Sequence, residues 1–160
     1  MPQQYFAHRE FHGESGHAAG RALLAELYAR HVGMPLPEIA VTSLGKPYFV
    51  DSPWHFSISH TKNHAFCVLC DRPVGLDGEE LTRRVNPIVA EKALSAGERA
   101  QYEAAQDRNR ALLTFWVLKE ADGKRTGKGV GIHPTHTNFM LTDNRVMEHS
   151  GCLVAIICEE

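Results

Sequence analysis

Residues 55–80, HFSISHTKNHAFCVLCDRPVGLDGEE, constrain the fold more than any other stretch of the chain. HFSIS (55–59) alternates apolar and polar residues, as a half-buried strand does. NHAFCVLCD (63–71) is an apolar run of strand length that follows a short turn. A second turn at Asp71–Pro73 leads into VGLDGEE, which begins as a third strand. Three extended segments in close succession require a sheet. The third ends on Asp77, Glu79 and Glu80. Carboxylates ordinarily sit where water reaches them, so a cluster at the end of a buried strand needs a partner.

The flanking segments predict helices as well as strands. Gly13–His31 carries an apolar stripe of Leu23, Leu24, Leu27 and Tyr28, and Gly33 stops it. IAVTSL (39–44) is an expected strand, and GKPYFV a turn into an extended piece. Pro87–Leu94 is expected to be helical, and Ser95 with Glu98 forms a capping box that starts another helix. Asn109–Lys124 is the strongest helix, closed by Gly127 and Gly129. Thr137–Leu141, Arg145–Glu148 and Cys152–Cys158 are expected to be extended. This pattern predicts an α+β fold, built as two lobes meeting near residues 74–80.

The chain has 160 residues, 43% of them hydrophobic and 22% charged, with a formal net charge of -2. That balance argues against a general nucleic-acid or membrane-surface binder, so any anion site must be a local basic cluster. The N-terminus MPQQYFAHREFHGE has no apolar signal core, and no stretch is long enough to span a bilayer, which predicts a cytosolic protein. Cys67 and Cys70 form a CxxC, but the odd spacing on a strand turns the two thiols to opposite faces. We therefore read them as small buried residues. HPTH (133–136) has no carboxylate partner and reads as loop histidines.

Two segments carry chemistry. On an extended chain Asp77 and Glu79 project from one face, roughly 6–7 Å apart at Cα. Like charges that close repel unless a cation sits between them, and Mg²⁺ takes one or two carboxylates with water and phosphate oxygens. An acidic loop at a strand end is the alternative. In WVLKEADGKRTGKG (116–129), Trp116, Glu120 and Lys124 share a helical face. A Glu–Lys pair at this spacing contributes only about 0.2–0.5 kcal/mol. Gly123 inside the helix costs about 1 kcal/mol relative to alanine, more than the pair returns. Lys124, Arg125 and Lys128 crowd the glycine-punctuated helix end, an arrangement suited to phosphate oxygens. Upstream, Lys46 lies in a GKP turn, and Ser59, His60, Thr61 and Lys62 end a strand with further donors. Gly78, between Asp77 and Glu79, predicts a loosened strand.

In this order, GKPYF (45–49), FSISH (56–60), VGLDGE (74–79) and FWVLKEADGKRTGKG (115–129) resemble the 4'-phosphopantetheinyl transferase superfamily, its Sfp-like branch in particular. Gly75, Asp77 and Glu79 match G-x-D-x-E. Trp116, Lys119, Glu120, Lys124, Gly127 and Gly129 match W-x-x-K-E-x-x-x-K-x-x-G-x-G. The resemblance covers roughly residues 15–158. It implies a single domain over 1–160, with an N-terminal lobe of about 1–74, a C-terminal lobe of about 75–160, and the active site in the cleft between two similar lobes. It further implies that Asp77, Glu79 and Glu120 hold Mg²⁺ against the pyrophosphate of coenzyme A, that Lys124 contacts that pyrophosphate, and that Lys46, Ser59 and His60 grip the nucleotide end. Glu120 is implied to deprotonate a serine of an acyl- or peptidyl-carrier protein, which takes up 4'-phosphopantetheine as 3',5'-ADP leaves. Residues 81–110, with Arg83 and Arg84, are a docking candidate for that partner. The N-terminal lobe is short, and self-association would cover an unpaired sheet edge. The alternative is a non-catalytic coenzyme A-binding descendant of the same fold.

Overall fold

The computed structural model describes residues 1–129 and 134–160. Along these residues run β1 (Gln4–Glu10), α1 (Gly16–His31), β2 (Ile39–Val41), β3 (Pro47–Phe49), β4 (His55–His60), β5 (His64–Cys70) and β6 (Val74–Glu80). They are followed by α2 (Ile88–Ala93), α3 (Ala96–Ala104), α4 (Arg108–Thr126), a 3₁₀ turn at Pro134–His136, β7 (Val146–His149) and β8 (Cys152–Cys158). The fold is α+β. No helix among the described residues is long and apolar enough to cross a membrane.

Two three-stranded antiparallel sheets share one connectivity. The first has the order β1-β5-β4, the second β6-β8-β7. In each, an outer strand leads through a long helix to the other outer strand, and the last strand returns to the centre. β2 and β3 form a separate antiparallel hairpin between α1 and β4. Local chemistry sets the ends of these elements. Ser15 caps α1 by accepting from Ala18 N. Ser95 and Glu98 form the expected capping box of α3. Asp107 caps α4, which stops at Gly127 with φ 77°. Ser150 and Gly151, with φ 50° and 77°, make the two-residue turn that joins β7 to β8.

Strand alternation sorts the side chains into layers. Ala65, Cys67 and Leu69 of β5 pack with Leu23, Leu24 and Leu27 of α1. Phe66, Val68 and Cys70 point the other way and meet Val74, Leu76, Cys152 and Val154 of the second sheet. Leu153, Ala155 and Ile157 of β8 then pack on Leu113, Val117 and Ala121 of α4. The order is helix, sheet, sheet, helix. The CxxC divides as its spacing requires, with Cys67 in one core and Cys70 in another.

Three features depart from expectation. Residues 4–10, read only as lacking a signal core, form β1 and pair along the whole of β5. Their alternation is masked by polar residues because an edge strand stays half exposed. Thr137–Leu141 is no strand. Its backbone bonds go to side chains of α3: Phe139 N donates to Glu98, and Leu141 N to Gln101. Gly78 does not loosen β6, which pairs with β8 in unbroken register. A Cβ there would lie 2.6 Å from the Phe66 ring, so the glycine makes room for the inter-sheet core. Of the HPTH histidines, His133 lies outside the described residues and His136 is exposed in the 3₁₀ turn.

Candidate functional site

β6 turns Val74, Leu76 and Gly78 toward the first sheet. Gly75, Asp77 and Glu79 therefore take the opposite face, toward α4. A Cβ on Gly75 would lie 1.8 Å from the Ala121 carbonyl oxygen and 2.5 Å from Arg125 N. Only glycine allows the strand to pass so close to the helix backbone. This contact sets Asp77 and Glu79 opposite Glu120 and Lys124.

The other side of β6 meets β4. β6 is an outer strand, so alternate N–H groups have no ladder partner. Leu76 N donates to Ser57 Oγ at 3.0 Å, and Gly78 N to Ser59 Oγ at 3.1 Å. Ser59 Oγ donates in turn to Asp77 Oδ1 at 3.1 Å. Two hydroxyls thus complete the edge of one sheet from the other.

Ser59, His60, Asp77, Glu79, Glu120 and Lys124 line one pocket of about 380 Å³, walled also by Arg83 and Trp116. Lys46 lines an adjoining recess of about 220 Å³, formed with Phe56, Gly123, Gly127 and Gly129. The two share Ile58, Glu120 and Lys124 as a common wall. Lys124 Nζ donates to Ile58 O at 3.1 Å and stands 3.6 Å from Asp77 Oδ1. Lys46 Nζ donates to Arg125 O at 2.8 Å, satisfying one of the last carbonyls of α4. Burial, with Arg125 beside it, holds the Lys46 ammonium below the ordinary lysine range.

The carboxylates here carry an electrostatic cost. Burial pushes the Asp77 carboxyl up to about 7; Lys124 and Ser59 oppose that rise, and Glu79 and Glu120 add to it. Glu120 is raised by burial and by Glu79, against Lys124 and Arg83. Asp77 Oδ2 is buried with no hydrogen-bond partner among the described residues. Such an atom is costly unless something completes it. The donor set is all oxygen, which suits a hard divalent cation. Among the described residues no three metal-ligating side chains close on a common point. Glu79 is instead drawn to Arg83, whose Nη1 lies 2.5 Å from Glu79 Oε1. Mg²⁺ needs only one or two protein carboxylates, and Asp77 Oδ2 offers one unpaired oxygen. The residues present therefore fit such an ion as an open site rather than as a cage.

Sequence reasoning missed the contacts of several supporting residues. Arg83 remains exposed and pairs with Glu79, with its guanidinium 5.8 Å from the Trp116 ring centroid. Ser57 carries no signal of its own within FSISH, although it stands two residues before Ser59 on the same strand face. Lys119 is 3% exposed and bonds Glu98 Oε1 at 2.7 Å. Glu98 is held below the ordinary glutamate range: burial raises it, but Lys119 and the N–H groups of Phe139 and Ser95 outweigh that. This pair fixes the side of α4 away from the pocket.

Comparison with known proteins identifies the family. The model of the 4'-phosphopantetheinyl transferase superfamily matches residues 73–153, from β6 into β8. The chain is 32% identical over 122 residues to the 4'-phosphopantetheinyl transferase psf-1 of Bacillus pumilus, covering 70% of this chain and 52% of that protein. It is 31% identical over 123 residues to the 4'-phosphopantetheinyl transferase gsp of Aneurinibacillus migulanus, covering 71% and 51%. It is 36% identical over 115 residues to the 4'-phosphopantetheinyl transferase AcpT of Escherichia coli K12, covering 68% and 56%. The chain spans about half the length of these curated relatives. With a match over more than half of its residues, and with Gly75, Asp77, Glu79, Glu120 and Lys124 gathered at one place, the chain belongs to the 4'-phosphopantetheinyl transferase superfamily.

Proposed function

We propose that this chain transfers the 4'-phosphopantetheine group of coenzyme A to a serine of an acyl- or peptidyl-carrier protein in the cytosol, with Mg²⁺, releasing 3',5'-ADP. We propose further that it acts as one domain of two lobes joined near residue 74, with the reaction in the cleft between them. The observation that carries the reading is the pocket in which Asp77, Glu79, Glu120 and Lys124 meet, with Asp77 Oδ2 buried and unpaired.

Asp77, Glu79 and Glu120 would hold the metal ion, which when bound neutralises charge on the pyrophosphate. Lys124 sits between the two recesses, where its ammonium can face a pyrophosphate oxygen. Lys46 lines one recess and His60 the other, and both would take nucleotide phosphates. Ser59 lines the same end from a hydroxyl that also anchors Asp77. The carrier serine oxygen forms a bond to the β-phosphorus of coenzyme A. The bond from that phosphorus to the bridging oxygen breaks, and the electron pair leaves with 3',5'-ADP. Glu120 accepts the serine proton. Glu120 lines the pocket beside Asp77 and Lys124, where it can reach that proton. Positioning and charge neutralisation supply most of the acceleration.

The test is incubation of the folded chain with coenzyme A, Mg²⁺ and a panel of apo-carrier proteins, read by mass spectrometry. The expected result is the phosphopantetheine mass increment, lost when a chelator removes the metal. No transfer to any carrier overturns the reading. One observation favours a second one: Lys124 and Arg83 already occupy the carboxylates of Asp77 and Glu79. Calorimetric binding of coenzyme A without turnover selects the non-catalytic alternative.

A further inference from the structure

Four cysteines are free in this structure, and two of them meet. Cys70 Sγ and Cys158 Sγ are 3.0 Å apart. They are 88 residues apart in sequence. Their positions are equivalent: Cys70 is the last residue of β5 and Cys158 the last of β8, the central strands of two sheets with one connectivity. Access is unequal. Cys70 has no exposed surface. Cys158 is half-buried and lines a surface cavity of about 730 Å³ that Arg72 and Phe6 also line. A disulfide-bearing reagent of modest size can reach one sulfur and leave the other in reserve behind it.

We propose that Cys70 and Cys158 form an oxidisable dithiol, which closes to an intramolecular disulfide by exchange with an external disulfide such as oxidised glutathione. The Cys158 thiolate attacks one sulfur of the reagent, forming a mixed disulfide and expelling one thiolate. Cys70 then attacks the Cys158 sulfur and expels the second, its own proton passing to the departing thiolate. The protein gives up two protons and two electrons, and the reagent gains them as two thiols. Since an S–S bond is about 2.05 Å long, the sulfurs need to approach by only about 1 Å. The bond staples the two sheets that supply opposite sides of the pocket. Burial and the neighbouring Cys70 push the Cys158 thiol well above the ordinary range, with Arg72 opposing. Exchange proceeds through thiolate, so closure accelerates as pH rises.

The test treats the full chain with oxidised glutathione at mildly alkaline pH, alkylates it, digests it without reductant and maps the peptides. The expected product is a cross-linked peptide containing residues 70 and 158, reversed by dithiothreitol and absent from Cys158→Ser. The oxidised wild type is expected to melt at a higher temperature than the reduced protein, with no such shift in Cys158→Ser. A stable glutathione adduct on Cys158 with Cys70 still open to alkylation after unfolding overturns the proposal, as does recovery of both thiols unchanged. Cys70 lies in the core, so the unmodified chain carries the decisive readout and the half-buried Cys158 position supplies the control.

Discussion

Lys119 and Glu120 are consecutive on α4, yet they sit in opposite electrical surroundings. Lys119 is buried, and its partner Glu98 is fully engaged: Oε1 accepts from Lys119 and Ser95 N, and Oε2 from Thr137 and Phe139 N. Glu120 faces a pocket where a neighbouring carboxylate oxygen is buried without a partner and two carboxyls are held above their ordinary range. Both regions concentrate charge. The first spends that charge on its own hydrogen bonds and acts as scaffold. The second pairs it only in part, through Lys124 and Arg83, and leaves Asp77 Oδ2 unbonded, a cost that a ligand can offset. Completeness of pairing separates the two roles where sequence adjacency cannot.

The comparison can be broken at either member. Lys119→Met should leave Glu98 charged and buried, costing about 3–5 kcal/mol in urea unfolding. Pairing it with Glu98→Leu should recover part of that loss, since no charge is then stranded. Glu120→Gln should instead lower carrier modification by about 10²–10⁴-fold, measured by mass spectrometry, while leaving the melting temperature unchanged or raised. Equal loss of stability in the two variants would erase the distinction. Gly78→Ala tests the space between scaffold and site: displacing the Phe66 ring should cost about 1–3 kcal/mol by denaturant unfolding. Arg83→Ala should change stability by no more than about 1 kcal/mol by the same measure, because its ion pair is partly exposed.

The smallest effect concerns protons. His8 stands against His64 and His149, with Glu10 nearby, and is held below its ordinary 6.5 by burial first and then by those imidazoles. The folded state therefore favours neutral His8, while the unfolded chain takes up a proton near 6.5. Stability present above 6.5 should fall as pH drops toward the lower folded value. Asp77, raised to about 7, contributes with the opposite sign over this range, so the His8 part is read as the difference between the wild-type and His8→Gln melting curves from pH 7.5 to 5, a difference that should move against the wild type as pH drops.

Much of this was legible in the sequence, because local rules govern it. The two-residue period of β6 put Asp77 and Glu79 on one face, and the helical period of α4 put Trp116, Glu120 and Lys124 on another. The capping box announced the bond between Glu98 and Ser95 N. It gave no sign that Glu98 would also hold Lys119, since that contact depends on how α3 meets α4. The seam of Ser57 and Ser59 was hidden for a similar reason: serine on a strand reads as a solvated residue until a second sheet offers it N–H groups. Thr137–Leu141 looked like a strand because its bonding partners, Glu98 and Gln101, lie on a helix about 40 residues earlier.

Gly75 reaches beyond its own position. Where side chains separate a strand from a helix, each exchange of one apolar residue for another shifts the gap by some fraction of an ångström. Between β6 and α4 no side chain intervenes at this point, so the distance from Asp77 to Lys124 is inherited from two main chains in contact. The hydrophobic interior can accumulate substitutions over evolutionary time while that spacing stays where it was.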